Sequence, residues 1–113
     1  MAFDLKPLQA LNLWQQVTLD GVRRDAPDLS ARQMAILLSV YLTPPPHTVR
    51  GLAEKLNVST RALETLGRLD LLKRRRDEND RRNVLVQRTV KGSVFLSEYA
   101  DLIVRAFAQL RAP

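Results

Sequence analysis

The residues best suited to chemistry in this chain are cationic, and their densest cluster stands in one stretch. Between Lys73 and Lys91 lie eight bases, Lys73, Arg74, Arg75, Arg76, Arg81, Arg82, Arg88 and Lys91, against three acids, Asp77, Glu78 and Asp80. This stretch therefore holds +5 of the chain's formal net charge of +6. Guanidinium forks pair with phosphates and enter narrow minor grooves, and bases clustered on one element are the electrostatic footprint of nucleic-acid binding. A solvated charged face is the plainer meaning of the same run. Asp80 lies two positions before Arg82. On a strand, residues two apart share a face, so this carboxylate can hold the guanidinium in one orientation. The plainer alternative is a surface ion pair worth at most about 1 kcal/mol.

Other chemistry has little to stand on. His47 is the only histidine and follows three prolines, a setting for a turn residue more than for a catalyst or metal ligand. There is no cysteine, which excludes disulfides, thiol redox sensing and thiolate-bound zinc. No glycine-rich phosphate loop, metal-spaced cluster or nucleophile motif occurs. Asp77, Glu78 and Asp80 lie in a polar basic loop and not as a buried pair with separated pKa values. The chain is read as a non-enzyme that needs no cofactor.

These residues need elements to position them. Pro7 suits a first helical turn, and a helix is expected over about 7–24, with Leu8, Leu11, Trp14 and Val17 on one broad face. Ala26-Pro27-Asp28 breaks it. Ser30 and Gln33 form a capping box for a second helix, apolar almost all round, that Thr43-Pro44-Pro45-Pro46 ends. Thr48 caps a short third helix through Leu52, Ala53 and Leu56; Asn57-Val58-Ser59 turns, and Ser59 caps a fourth through Leu63, Leu66 and Leu69. Leu71–Arg76 and Arg82–Thr89 then flank a polar loop as a hairpin, Val84-Leu85-Val86 having strand composition. Thr89 caps a last helix, about 90–111, striped by Phe95, Tyr99, Leu102, Ala106 and Leu110. A hairpin after the second helix of a helix-turn-helix is a wing.

The fold class expected is thus mainly α: a single winged helix-turn-helix domain over 1–113, with its helix-turn-helix at about 48–69 and its wing at about 71–89. A chain of 113 residues leaves no room for a second core, and one so small gains from burial against a partner subunit. The longest apolar run, Met34 to Leu38, is far short of a membrane span, and the first residues lack a signal-peptide core. A cytoplasmic protein that does not bind membranes is expected.

Taken in order, these residues resemble the MarR family of bacterial transcriptional regulators. The resemblance runs from about Leu29 to Ile103. It rests on Leu-Ser-Ala-Arg-Gln at 29–33, Thr-Val-Arg-Gly-Leu-Ala-Glu-Lys-Leu-Asn-Val-Ser at 48–59 and Leu-Leu-Lys-Arg at 71–74. Its most specific part is Asp77-Glu78-Asn79-Asp80-Arg81-Arg82, followed by Thr89-Val90-Lys91-Gly92. The resemblance implies a repressor that binds double-stranded DNA as a homodimer built on the first and last helices. It puts Ser59, Thr60 and Arg61 at the start of the helix that enters the major groove. It makes Asp80 the orienting acid and Arg82 the minor-groove arginine, with Arg81 beside it, and Arg74, Arg75 and Arg76 join the DNA-binding set. It also allows a small phenolic or acidic effector, which no residue here identifies.

The chain departs from the family pattern twice. The recognition helix, roughly Thr60 to Leu69, is about one turn short, which keeps the phase of Leu63, Leu66 and Leu69 but shortens the DNA-reading end. Asp70 stands where a glycine usually ends this helix, and aspartate tolerates a left-handed backbone better than most residues. The short helix leaves two rivals: a winged-helix module that docks an acidic protein, and an architectural protein that binds DNA without sequence preference.

Overall fold

The computed structural model describes residues 4–111. The order of elements is α1 (Pro7–Arg23), α2 (Ala31–Leu42), α3 (Val49–Leu56), α4 (Thr60–Arg68), β1 (Leu72–Arg76), β2 (Val84–Arg88) and α5 (Val90–Arg111). This is the mainly helical winged helix-turn-helix architecture expected. The chain divides into two compact units: Leu29–Phe95 forms one, and the residues before Leu29 with those after Phe95 form the other.

In the unit Leu29–Phe95, local signals set the helix ends. Ser30 Oγ accepts the Gln33 N–H at 3.1 Å and Gln33 Oε1 accepts the Ser30 N–H at 2.8 Å, the capping box that starts α2. Thr48 Oγ1 accepts the Gly51 N–H at 2.9 Å and starts α3. Asn57, at φ 50° and ψ 49°, ends that helix, and the Val58 N–H returns to the Ala53 carbonyl at 3.0 Å. Ile36, Leu37, Val40, Leu52, Leu63, Leu66, Leu71, Leu72, Val86 and Phe95 make the core. Helix α2 is central through Ile36, Leu37 and Val40, but it is not covered all round: Leu42 is 75% exposed.

The end of α4 makes a Schellman motif without glycine. Asp70 takes φ 59°, its N–H bonds the Gly67 carbonyl, and the Leu71 N–H bonds the Leu66 carbonyl, both at 3.0 Å. Leu66 and Leu71, the apolar pair of that motif, are both fully buried. A left-handed conformation costs an L-residue roughly 1–2 kcal/mol, less for aspartate, and a carboxylate at a helix C-terminus opposes the dipole. Asp70→Gly is therefore expected to stabilise the protein by about 0.5–1 kcal/mol, read as a higher urea midpoint at unchanged m. A lower midpoint would show that the carboxylate carries a compensating interaction.

Strands β1 and β2 pair antiparallel with Leu72 opposite Arg88, Arg74 opposite Val86 and Arg76 opposite Val84. A third, two-residue segment, which the sequence does not announce, joins them. The Val86 N–H donates to the His47 carbonyl at 2.8 Å and Thr48 bridges Leu85, so the residues before α3 edge the wing. His47, expected as a turn residue, instead lies in this edge segment, where its backbone ties the wing to the helix-turn-helix.

The other unit contains α1 and the length of α5 from Leu96. Val17, Leu102 and Ala106 are buried there, and the Arg24 guanidinium lies 5.5 Å from the centre of the Tyr99 ring. The broad face expected on α1 is corrected by the structure. Val17 is buried, whereas Leu8, Leu11 and Trp14 are 69%, 68% and 60% exposed. The reason is geometric: at 100° per residue, a series spaced by three retreats 60° each step, so Leu8 and Val17 face opposite ways.

Candidate nucleic-acid interface

Helix α4 is amphipathic because its two buried leucines, Leu63 and Leu66, recur at a spacing of three and turn one stripe inward. That leaves Thr60, Arg61, Glu64 and Arg68 exposed. Ser59 takes the backbone geometry of an N-cap, φ −77° and ψ 160°, but its side chain makes no capping hydrogen bond. The expected hydroxyl cap is therefore absent at this helix. First-turn N–H groups without a side-chain cap are open to solvent or to an anion, and the helix dipole favours the anion.

The tip of the wing is built by its own acids. The Asn79 N–H donates to Asp77 Oδ1 at 2.9 Å, and the Arg82 N–H donates to Asp80 Oδ1 at 3.1 Å. The Asn83 N–H bonds the Asp80 carbonyl at 3.0 Å, and the Asp77 N–H bonds the Asn83 carbonyl at 3.2 Å and closes the loop. Arg82 then turns its guanidinium back on the same carboxylate, Nε to Oδ1 at 3.1 Å and Nη2 to Oδ2 at 3.2 Å. The expected pairing of Asp80 with Arg82 is present, but not through a shared strand face. Both residues lie before β2, in a turn that the aspartate folds around its own i+2 neighbour.

The Arg82 side chain is 90% exposed although its guanidinium is held by two hydrogen bonds. The guanidinium of Arg82 and then its backbone N–H stabilise the Asp80 carboxylate and hold it below the ordinary aspartate value of 3.8; a small desolvation effect opposes them. The contribution of this carboxylate is full above that ordinary value and is lost only as pH falls through the lower, folded-state one. At neutral pH the clasp is charged on both sides.

Two open depressions gather the remaining candidates. Arg82 lines one together with Asn83 and Val84 of the wing, Thr60 at the start of α4, and Thr48, Arg50 and Glu54 of the preceding helix region. Arg75, Arg76 and Arg81 line the other with Asp77 and Glu78, and Arg75 Nη2 stands 3.6 Å from Glu78 Oε1. Ser59 and Arg61, both exposed, flank Thr60 in the chain but line neither depression. The run Arg74-Arg75-Arg76 is not one surface: strand alternation puts Arg74 and Arg76 on the sheet face of Val86, and Arg75 on the other. Arg74 lines neither depression.

The sequence reading missed Arg50 and Glu54, which meet at 4.0 Å on α3. Their signal was there, as an i, i+4 pair beginning in the first turn after the Thr48 cap. Among the described residues no three metal-binding side chains gather, and no helix is long and apolar enough to cross a membrane.

A helix-turn-helix whose second helix is followed by an antiparallel, arginine-rich hairpin defines the winged helix-turn-helix class. Residues 29–84 match the model of the MarR family, and the chain belongs to that family of transcriptional regulators. Among solved structures it is similar to a single-substitution variant of S. aureus MepR, with a TM-score of 0.73 and 18% identity over 91% of this chain and 76% of that one. It is similar also to the PcaV transcriptional regulator of Streptomyces coelicolor, with a TM-score of 0.64 and 23% identity over 89% and 76%. A MepR–DNA complex from S. aureus aligns with a TM-score of 0.62 and 17% identity over 87% and 75%. No curated protein sequence matches the chain.

Proposed function

We propose that this chain is a repressor that binds double-stranded DNA as a homodimer, with α4 in the major groove and the wing in the flanking minor groove. One observation carries the reading: Thr60, at the N-terminus of α4, and Arg82, on the wing, line the same depression with Arg50. A sugar-phosphate strand seated there puts a major groove on the α4 side and a minor groove on the wing side. The unclaimed first turn after Ser59 and the cation Arg50 meet its phosphates, and Arg61, in the first turn of α4, reaches into the major groove. Arg82 enters the minor groove already oriented by Asp80, with Arg81 beside it, while Arg74, Arg75 and Arg76 add phosphate attraction along the hairpin. The DNA-bound MepR structure, similar in fold, supports this docking.

The homodimer reading rests on apolar surface that one copy leaves uncovered. Leu8, Leu11, Trp14 and Val22 on α1 are each at least 60% exposed, and Val104 on α5 is 67% exposed. A second copy is the partner that family membership suggests for these helices. No effector is assigned. Cytoplasmic action follows from a chromosomal target.

Site selection from a random duplex pool, with the winner titrated at several salt concentrations, tests the proposal. The expected result is a palindromic motif with half-sites about one helical turn apart. Its affinity should fall with salt at a log–log slope of about −5 or steeper, for six or more phosphates neutralised per dimer. Salt-sensitive retention without a motif would return the architectural reading. A protein that retains no duplex, or sediments as a monomer at micromolar concentration, would overturn the proposal and favour docking to an acidic protein.

A further inference from the structure

Helix α4 carries a charge pattern that phosphate attraction does not explain. At 100° per residue, Arg61, Glu64 and Arg68 fall on one face, opposite the buried Leu63 and Leu66. All three are exposed, and no hydrogen bond or ion pair joins Glu64 to either arginine. Arg68 is positioned: its Nη2 donates to Thr65 Oγ1 at 3.2 Å, and that hydroxyl donates to the Arg61 carbonyl at 3.2 Å. The Thr65 hydroxyl is thereby occupied. The groups left to read a partner are two guanidinium forks with a carboxylate between them.

A carboxylate on the leading face of a helix that approaches a polyanion is costly unless it meets a donor. In the major groove the only such donors are the amino groups of cytosine and adenine; guanine and thymine turn acceptors toward it. A carboxylate is acceptor-only, whereas adenine offers its amino group beside the N7 acceptor, which repels it. Cytosine offers the amino group alone. The guanidinium fork matches the paired O6 and N7 acceptors of guanine. From Arg61 to Arg68 the helix rises about 10 Å, and that spans about three base-pair steps.

Resting on the DNA-binding reading above, we propose that Glu64 is a specificity-determining residue of this regulator. It accepts a hydrogen bond from a cytosine amino group while Arg61 and Arg68 take guanines on either side, so each half-site is centred on G·C pairs. Glu64 also discriminates by repulsion, since thymine or guanine at its position would set an acceptor against a carboxylate.

The test is site selection from a random duplex pool by the full chain and by Glu64→Ala and Glu64→Gln. Glu64 is exposed, and thermal unfolding checks that both variants fold. The unaltered protein is expected to enrich one cytosine per half-site about tenfold or more over the other bases. Glu64→Ala should flatten that single position to within about twofold while neighbouring guanines persist. Glu64→Gln should shift it toward adenine, which an amide recognises through N6 and N7. A motif unchanged in Glu64→Ala, or one with no G·C pair in its half-site, overturns this assignment and leaves the regulator reading standing. An unaltered protein that retains no duplex overturns both.

Discussion

Gly92→Ala should destabilise the protein by about 2–4 kcal/mol, although it places a better helix former in the first turn of α5. A Cβ at Gly92 would lie 2.2 Å from the Tyr41 hydroxyl and 2.3 Å from the Leu71 carbonyl oxygen. The second neighbour is backbone, so no rotamer change relieves it. The first neighbour holds a junction together: the Tyr41 hydroxyl accepts the Thr89 N–H at 3.0 Å and lies 2.9 Å from the Thr89 carbonyl and 3.3 Å from that of Leu71. Thr89 Oγ1 in turn donates to the Asp70 carbonyl at 2.7 Å and accepts the Gly92 N–H at 2.9 Å. The end of α4, the start of β1 and the cap of α5 thus meet around one phenol and one missing side chain. Overpacking of this kind typically costs about 1–3 kcal/mol, and an unsatisfied buried amide adds about as much.

Chemical denaturation of Gly92→Ala, Tyr41→Phe and the double variant checks this. Tyr41→Phe removes the closest atom but leaves the Leu71 carbonyl, so the double variant should be less destabilised than the sum of the singles, by about 1 kcal/mol. Additive losses would show that the added methyl and the hydroxyl do not compete for one space. A Gly92→Ala variant as stable as the parent would mean that the start of α5 moves freely, and that the junction does not fix the wing.

Much of this architecture is legible in the sequence because it is decided within four or five residues. Ser30 with Gln33, Thr48 with Gly51, and Thr89 with Gly92 are side-chain-to-backbone caps, and each is announced by residue type and spacing. Asp70 announces the turn after α4 because few other non-glycine residues tolerate φ 59°. What is not legible depends on partners far along the chain. The pairing of His47 and Thr48 with β2 spans nearly forty residues, and two residues are too few for a strand period to show. The Tyr41 hydroxyl reaches 48 positions to Thr89, so in sequence it reads only as one more apolar residue of α2.

The candidate site is legible to a similar depth. Its residue types and its sign of charge are local facts, and the Asp80–Arg82 pair is a real contact. Two details depend on backbone geometry that a period of two does not describe. Asp80 acts from a turn and not from a strand, and Ser59 holds the position of a cap without its hydrogen bond. The depression that joins Thr60 to Arg82 is tertiary, formed when β2 is bonded to the residues that precede α3.

Arg82→Ala is expected to weaken binding to the selected site by about 1–3 kcal/mol, the scale of a good groove contact. Its carboxylate partner separates two causes of that loss. If the arginine acted only as a surface charge, Asp80→Ala would raise affinity, because it removes a negative charge from a basic hairpin. If orientation matters, removing Asp80 frees a long side chain whose rotamers must be fixed again on binding, at about 0.5–1.5 kcal/mol, and affinity should fall. Asp80→Asn should lie between, since an amide oxygen can still accept the Arg82 N–H that shapes the turn but lacks the charge that holds the guanidinium. The sign of the Asp80→Ala effect at fixed salt therefore decides between clasp and charge. A pH series supplies an independent check. Asp80 is held below its ordinary value of 3.8, so its titration should leave the affinity of the unaltered protein flat across the neutral range. Weakening through this residue should begin only where acid breaks the clasp. A step in affinity between pH 6 and 8 that vanishes in Asp80→Asn would overturn the clasp as the device that orients Arg82.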